Sequence, residues 1–219
     1  NNKNKILNGL NKYKPNRIFK LAAETQVDRS IDGPESFIKS NILGVFNLLQ
    51  SFRKHILINK KCKLIHISTD EVYGDVLFGR SNEDDAYKPS SPYAASKASS
   101  DHLVSSYIRT FNIPAIITNC SNNYGPYQHA EKFIPTVLNS LMMGEKIPIY
   151  GDGQQVRDWL YPCGPAKTCL FYPRPPKRKK DDENDTEEMA KPEEETGTKK
   201  KTVLINMLNP DQALKVVAS

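Results

Sequence analysis

The apolar positions of this chain change period several times. Ile6, Leu7 and Leu10 recur at helical spacing ahead of Pro15, which predicts a helix over 2–13. Arg17 to Ala23 reads as a short strand that runs out into polar residues. Between 36 and 58 a stripe of Phe37, Ile38, Ile42, Val45, Phe46, Leu48, Leu49 and Phe52 predicts a long amphipathic helix. Leu64 to Ile67 is the next strand, followed by a polar loop over 74–91. Pro92 sits where the first turn of a helix accepts proline, and the helix it opens runs over 93–111. A strand over 113–118, a loop with Asn122, Asn123, Gly125 and Pro126, a helix over 133–143 and a short strand over 147–150 complete the pattern. Strands alternating with long helices imply βαβ units and a parallel sheet. Ligands on such sheets bind at the carboxyl ends of the strands. Three polar clusters fall there: Glu24-Thr25, Thr69-Asp70-Glu71 and Asn122-Asn123, which points to one common site.

The pattern stops near Pro162. Residues 173–201 hold nine basic and nine acidic residues in blocks and almost no aliphatic side chains. Such a segment buries too little apolar surface to offset its ordering entropy, so it is expected to be disordered. The run Thr202 to Leu208 reads as a short strand or as nothing regular. The whole chain of 219 residues is 38% hydrophobic and 26% charged, a globular average. Its net charge of +6 is spread out and argues against a nucleic-acid partner. Four cysteines, Cys62, Cys120, Cys163 and Cys169, show no CxxC spacing, and there is no signal peptide or membrane-length apolar stretch. Reduced thiols in a cytoplasmic protein follow, and neither a membrane partner nor a metal site is expected. The chain opens Asn1-Asn2-Lys3 and its first methionine is Met142, so it reads as a piece of a longer or processed chain.

Two stretches carry chemistry. In "HISTDEVYG" (His66 to Gly74) an apolar strand ends in a threonine and two adjacent carboxylates. Like charges this close are pushed apart in pKa, which suits proton transfer and disfavours stability. On a regular strand Asp70 and Glu71 would point to opposite faces, so both can serve one site only if the chain leaves the strand there. In "SPYAASKASSDHL" Tyr93 and Lys97 lie four residues apart, on one helix face. An ammonium beside a phenol stabilises phenolate, which is expected to lower the tyrosine pKa towards the working pH.

Thr69, Tyr93 and Lys97 together resemble the hydroxyl–tyrosine–lysine triad of the extended short-chain dehydrogenase/reductase family. The stretches "LAAETQVDRSIDGP", "ISTDEVYG", "SPYAASKA", "NCSNNYGPYQHAEKFIP" and "PIYGDGQQVRDWLY" closely resemble the dTDP-glucose 4,6-dehydratases, over roughly residues 3–161. The resemblance implies NAD as cofactor, a nucleotide-sugar substrate and a lyase reaction within nucleotide-sugar metabolism. In that reaction Tyr93 deprotonates the C4 hydroxyl while hydride passes to NAD⁺. Water then leaves across C5 and C6, with Glu71 as base and Asp70 as acid, and hydride returns to C6. Thr69 would hydrogen-bond the C4 oxygen. By the same resemblance Leu21, Ala22, Ala23, Glu24, Thr25, Ser40, Tyr93, Lys97 and Asn123 contact the cofactor. Thr25, Thr69, Asn122, Lys132, Phe133, Pro148, Ile149, Tyr150 and Arg157 contact the substrate. Arg157 would grip the nucleotide diphosphate, a task suited to a guanidinium fork. The family's dimers form through two helices, which makes the helices over 36–58 and 93–111 candidates for a homodimer contact.

The sequence also departs from the family. Lys20 stands where the family usually has histidine. No GxxGxxG or GxGxxG occurs among its 11 glycines, so the strand, glycine-rich turn and helix that hold a pyrophosphate are not in these residues. After Tyr161 the resemblance ends, and Pro162 and Pro165 would break the helix with which the family continues. The expected organisation is therefore a partial Rossmann-like doubly wound α/β sheet lacking its first strands. Residues 1–161 form a partial NAD-binding and catalytic domain, 162–172 a divergent junction, 173–201 a disordered segment and 202–219 a short tail. Three functions stay open: a dehydratase segment, incomplete and inactive as it stands; a non-catalytic remnant or interaction protein; and a related NAD-dependent sugar-nucleotide epimerase or dehydratase.

Overall fold

A computed structural model describes residues 3–149 and 152–161 and the backbone of 201–205 and 215–218. In chain order the elements are α1 (Lys3–Tyr13), β1 (Arg17–Lys20), α2 (Val27–Asp32), α3 (Pro34–Phe37), a π-helical turn (Ile38–Leu43) and α4 (Gly44–His55). Then come β2 (Lys63–Thr69), a 3-10 turn (Asp70–Tyr73), α5 (Pro92–Phe111), β3 (Ala115–Cys120), β4 (Asn122–Asn123), α6 (Phe133–Met143) and β5 (Trp159–Leu160). The last two are β6 (Lys201–Ile205) and β7 (Lys215–Ala218). The chain divides into two compact units, Asn1–Ser121 with Lys199–Ser219, and Asn122–Thr198.

The first unit is a five-stranded sheet of order β3-β2-β1-β6-β7. All pairings are parallel except β6 with β7. A parallel neighbour needs a crossover, and α2 to α4 make the one from β1 to β2 while α5 makes the one from β2 to β3. Strand β2 reads as an almost unbroken buried run, as a central parallel strand should. Leu10 of α1, Leu48, Leu49 and Phe52 of α4, Val104 of α5, and Ile18 and Leu64 of the sheet form one buried cluster with Cys62 and Ile113. The helical stripe predicted over 36–58 is interrupted. Its π turn puts Asn41 in the core, where an unbroken apolar stripe would not need an amide. Helix α5 starts as its sequence predicts: Pro92 occupies the first turn and the Ser91 hydroxyl accepts from the Ala94 N–H at 3.0 Å.

Three sequence expectations change. Leu21 to Ala23 leave the strand, because β1 ends at Lys20. Ile147 to Ile149 form no strand; Ile149 is 74% exposed and an apolar run without a partner strand has no ladder to join. Lys201, placed in the disordered segment, opens β6, which pairs with β1 from Arg17↔Thr202 to Lys20↔Ile205. The rest of the charged segment, Cys163 and Cys169 lie outside the described residues.

Gly74 closes the 3-10 turn at φ 80° and ψ −161°, a conformation nearly restricted to glycine. A Cβ there would meet the Lys88 carbonyl oxygen at 2.1 Å. Across the same junction the Lys88 N–H donates to the Val72 carbonyl at 2.9 Å, so the loop has little freedom to yield. Gly74→Ala is expected to cost about 2 kcal/mol or more from strain and overlap together, read as a lower midpoint in urea unfolding. A change under about 0.5 kcal/mol would show that the 74–91 loop can move aside.

The second unit pairs β4 with β5, Asn122↔Trp159 and Asn123↔Leu160. Around this ladder Tyr124, Phe133, Trp159 and Tyr161 form an aromatic group. The Phe133 and Trp159 rings stack with centroids 6.0 Å apart. No described helix is long and apolar enough to cross a membrane.

Candidate active site

The chain leaves β2 at Thr69 and turns at once into a 3-10 helix, with Thr69 at its N-cap. The Thr69 hydroxyl accepts from the Glu71 N–H at 3.3 Å and lies 3.2 Å from Asp70 Oδ1. A 3-10 turn does not alternate sides, so the two carboxylates are freed from the opposite-face rule of a strand. Asp70 and Glu71 are half-buried, while Thr69 is buried.

Tyr93 comes from the first turn of α5 and is also buried. Its N–H donates to the Ser30 hydroxyl of α2 at 3.1 Å, and its ring meets Phe37 edge-on. The Tyr93 phenol lies close enough to the Thr69 side chain for it to act on the phenol's pKa, so strand end and helix start meet at one point. Lys97, one turn on, donates its ammonium to the Ile67 carbonyl at 2.7 Å. The electrostatics differ from the expectation drawn from spacing alone. Burial raises the Tyr93 pKa first, the Glu71, Asp70 and Asp101 charges add to the rise, and only the Thr69 side chain opposes them. Lys97 spends its hydrogen bond on β2 rather than on the phenol. Burial lowers the Lys97 pKa, opposed by Asp101 and, less, by Cys120 of β3.

Of the predicted cofactor contacts, Ala22 and Ala23 are buried directly after β1, whereas Leu21 is half exposed and Thr25 exposed. The Glu24 backbone is held from both sides by Asn41, whose Oδ1 accepts from the Glu24 N–H and whose Nδ2 donates to the Glu24 carbonyl, each at 3.0 Å. Asn41 Nδ2 also reaches the Ser96 hydroxyl at 2.9 Å, tying the post-β1 segment to α5. Ser40, the predicted contact, is only half-buried beside it. Sequence reasoning passed over Asn41. Its signal was an amide inside an apolar stripe, a group that must find partners when buried.

The remaining predicted residues belong to the second unit. Asn122 and Asn123 form β4, and Lys132 caps α6 with Phe133 as its first residue. Pro148 is half-buried, and Ile149 and Arg157 are exposed. The Arg157 guanidinium donates to its neighbour's Val156 carbonyl at 3.2 Å. Tyr150 lies outside the described residues. No group of three or more metal-binding side chains occurs among the described residues.

A hydroxyl pair backed by a buried lysine and flanked by two carboxylates can move protons at two neighbouring carbons of one small polyol. Comparison with known proteins gives the same direction. The chain is 51% identical over 165 residues to the dTDP-glucose 4,6-dehydratase of Haemophilus influenzae, covering 72% of this chain and 49% of that protein. It is 50% identical over 167 residues to dTDP-glucose 4,6-dehydratase 1 of Escherichia coli K12, covering 68% and 45% respectively. The chain thus spans about half the length of the curated relatives it matches. Among solved structures, the dTDP-glucose 4,6-dehydratase of Streptomyces venezuelae, crystallised with NAD and TYD, aligns with a TM-score of 0.68 at 41% identity, over 73% of this chain and 48% of that one. The UDP-glucuronic acid 4-epimerase of Bacillus cereus, with UDP-glucuronic acid and NAD, aligns at 0.65 and 32%, over 71% and 48%. The family model described as GDP-mannose 4,6 dehydratase matches residues 1–164, and the chain belongs to that family, with a Rossmann-like fold.

Proposed function

We propose that this chain carries the catalytic segment of a cytoplasmic NAD-dependent dehydratase that converts dTDP-glucose to dTDP-4-keto-6-deoxyglucose. The observation that carries the reading is the meeting of the Tyr93 phenol and Thr69 hydroxyl beside the Asp70-Glu71 turn. Thr69 orients the C4 oxygen and Tyr93 takes the C4 hydroxyl proton. Lys97, a turn away on α5, favours the resulting phenolate. Glu71 removes the proton at C5, acidified by the new ketone, and Asp70 protonates the departing C6 hydroxyl. NAD, when bound, would supply the hydride acceptor and donor for the sugar carbons. Ala22, Ala23, Glu24, Thr25, Ser40, Tyr93, Lys97 and Asn123 are the residues that would hold the cofactor, and Asn122, Lys132, Phe133, Pro148, Ile149, Tyr150 and Arg157 the nucleotide sugar. The buried alanines leave room for close backbone approach, and the hydroxyl and ammonium donors suit a ribose, so the nicotinamide half fits. The diphosphate half has no glycine-rich turn to receive it in these residues. Ile38, Leu43 and Phe46, exposed along the helix over 34–55, support a homodimer contact there.

Two readings compete. The likeness to a UDP-sugar 4-epimerase favours a related epimerase. The other is a non-catalytic remnant. A binding titration separates the last from the first. Losing three charge-assisted hydrogen bonds to phosphate, each worth about 1.5 kcal/mol or more, weakens NAD⁺ binding at least about a thousandfold. The polypeptide 1–219 is therefore expected to show no NAD⁺ binding tighter than about 100 µM by calorimetry. A chimera that adds a relative's glycine-rich segment before residue 3 and its carboxy-terminal segment after Tyr161 should bind NAD⁺ and form the 4-keto sugar. An inactive chimera that binds NAD⁺ would overturn the dehydratase reading, and an epimerised product would replace it with the epimerase.

A further inference from the structure

Beneath the Thr69–Tyr93 pair, where α5 covers the sheet, the core holds a second polar cluster. Asp101 lies one turn after Lys97 on α5 and is 1% exposed. Its Oδ2 accepts from the Ser68 hydroxyl at 2.6 Å, from the Tyr87 hydroxyl at 3.3 Å and from Asn119 Nδ2 at 3.4 Å. Its Oδ1 lies 3.0 Å from His66 Nε2. Opposite His66 in the β1–β2 register is Lys20, fully buried, whose ammonium nitrogen has no hydrogen-bond partner. His66 Nδ1 has none either.

One carboxylate thus faces three basic groups in a dry interior. The ionisable groups that act on Lys20 are Lys97 and Asp101 from α5, and its cross-strand neighbour on β2 is His66. On its other side β6 sets Ile205 opposite Lys20, and Thr202 to Ile205 contain no ionisable residue. A single negative charge cannot balance two ammonium ions and an imidazolium where desolvation of each ion costs several kcal/mol. Lys97 has the Ile67 carbonyl as acceptor; Lys20 has neither a carbonyl nor a hydroxyl to donate to.

We propose that Asp101 is a positioning residue for the proton chemistry at Tyr93: its carboxylate, buried one turn along α5 from Lys97, is the shared counter-ion of the cluster, and Lys20, across the sheet from His66, is an uncharged amine. The inference rests on Tyr93 and Lys97 being the proton-transfer pair. His66 is neutral in this arrangement, with its N–H on Nε2 donating to Asp101, because Nδ1 has no acceptor. Burial is the first cause that lowers the Lys20 pKa well below that of a free lysine, with the Lys97 charge second and Asp101 opposing. The His66 pKa is pushed down to about 4, again chiefly by burial. Asp101 thereby keeps an ammonium one turn from Tyr93, whose phenol pKa is raised first by burial and then by Glu71, Asp70 and, least of the three charges, Asp101 itself.

The test is a ¹⁵N nuclear magnetic resonance titration of the lysine amines in the full 219-residue chain, with Lys20→Met and Lys97→Met to assign the two signals. No substrate or NAD⁺ is present, so an inactive chimera and a failed titration are separate results. Lys20 is expected to titrate well below the exposed lysines, and before Lys97. Asp101→Asn should lower the Lys97 midpoint by at least about one unit, a tenfold loss of proton affinity. Lys20→Met should leave the Lys97 midpoint in place and raise the thermal midpoint, since it removes an unpartnered buried amine at similar volume. If Lys20 titrates with the exposed lysines, the proposal fails. It fails equally if a folded Asp101→Asn leaves Lys97 unmoved. Should Asp101→Asn not fold, Lys20→Met decides: a Lys97 midpoint raised by a unit or more would mean that Lys20 is charged and that Asp101 serves both.

Discussion

Glu71→Gln in the completed chimera should abolish dehydration and the exchange of the sugar's C5 hydrogen with solvent, while the first hydride transfer remains visible as rising reduced-nicotinamide absorbance. The loss expected from removing one general base is about 10²–10⁴-fold in turnover. Geometry makes glutamine a clean replacement. The backbone of residue 71 is pinned by the Thr69 hydroxyl and the 3-10 turn, so the amide should occupy the place of the carboxylate. The charge removed is also one of those that raise the Tyr93 pKa. Hydride transfer from C4 should therefore be no slower in the variant, which a general disruption of the site would not predict. Asp70→Asn should act differently: C5 exchange continues and loss of water slows. Normal turnover in Glu71→Gln would end the assignment of Glu71 as the base.

Phe52→Ala should cost the first unit about 3–5 kcal/mol, the range for deleting a fully buried aromatic ring. Phe52 is 0% exposed and sits on α4 among Leu10, Ile18, Leu49 and Leu64, so its loss opens a void shared by two helices and two strands. Those strands end at Lys20 and Thr69, so the core that Phe52 fills also sets the spacing of the candidate site. Denaturant unfolding of the 219-residue chain reads the effect as a fall in midpoint. A cost below about 1 kcal/mol would mean that the surrounding helices collapse onto the gap, which a core at crystal-like packing density should not allow.

Hydrophobic period was enough to place α5 and α6 nearly to the residue, because each is a local 3.6-residue repeat with a cap or a proline at its start. It misjudged Ile147 to Ile149, since a short apolar run does not say whether a partner strand lies alongside. It also extended β1 through Leu21 to Ala23, where the chain bends away to be held by Asn41. The strand Lys201–Ile205 was legible only as an option, because what makes it a strand is the free edge of β1, some 180 residues earlier in the chain.

The candidate site divides in the same way. Motif, spacing and family resemblance marked Thr69, Asp70, Glu71, Tyr93 and Lys97 as the candidates for the chemistry, since all five fall within two short stretches. How those residues stand depended on contacts distant in sequence. The 3-10 turn after Thr69 released the acid pair from strand alternation. The Ile67 carbonyl, not the phenol, took the Lys97 ammonium, and burial with two nearby carboxylates raised the Tyr93 pKa that spacing alone would lower. Asn41, Asp101 and Lys20 carry no local signal of their roles. A hydrogen bond or a charge gains its meaning from desolvation and from its partners, and both exist only once helix and sheet have closed over them.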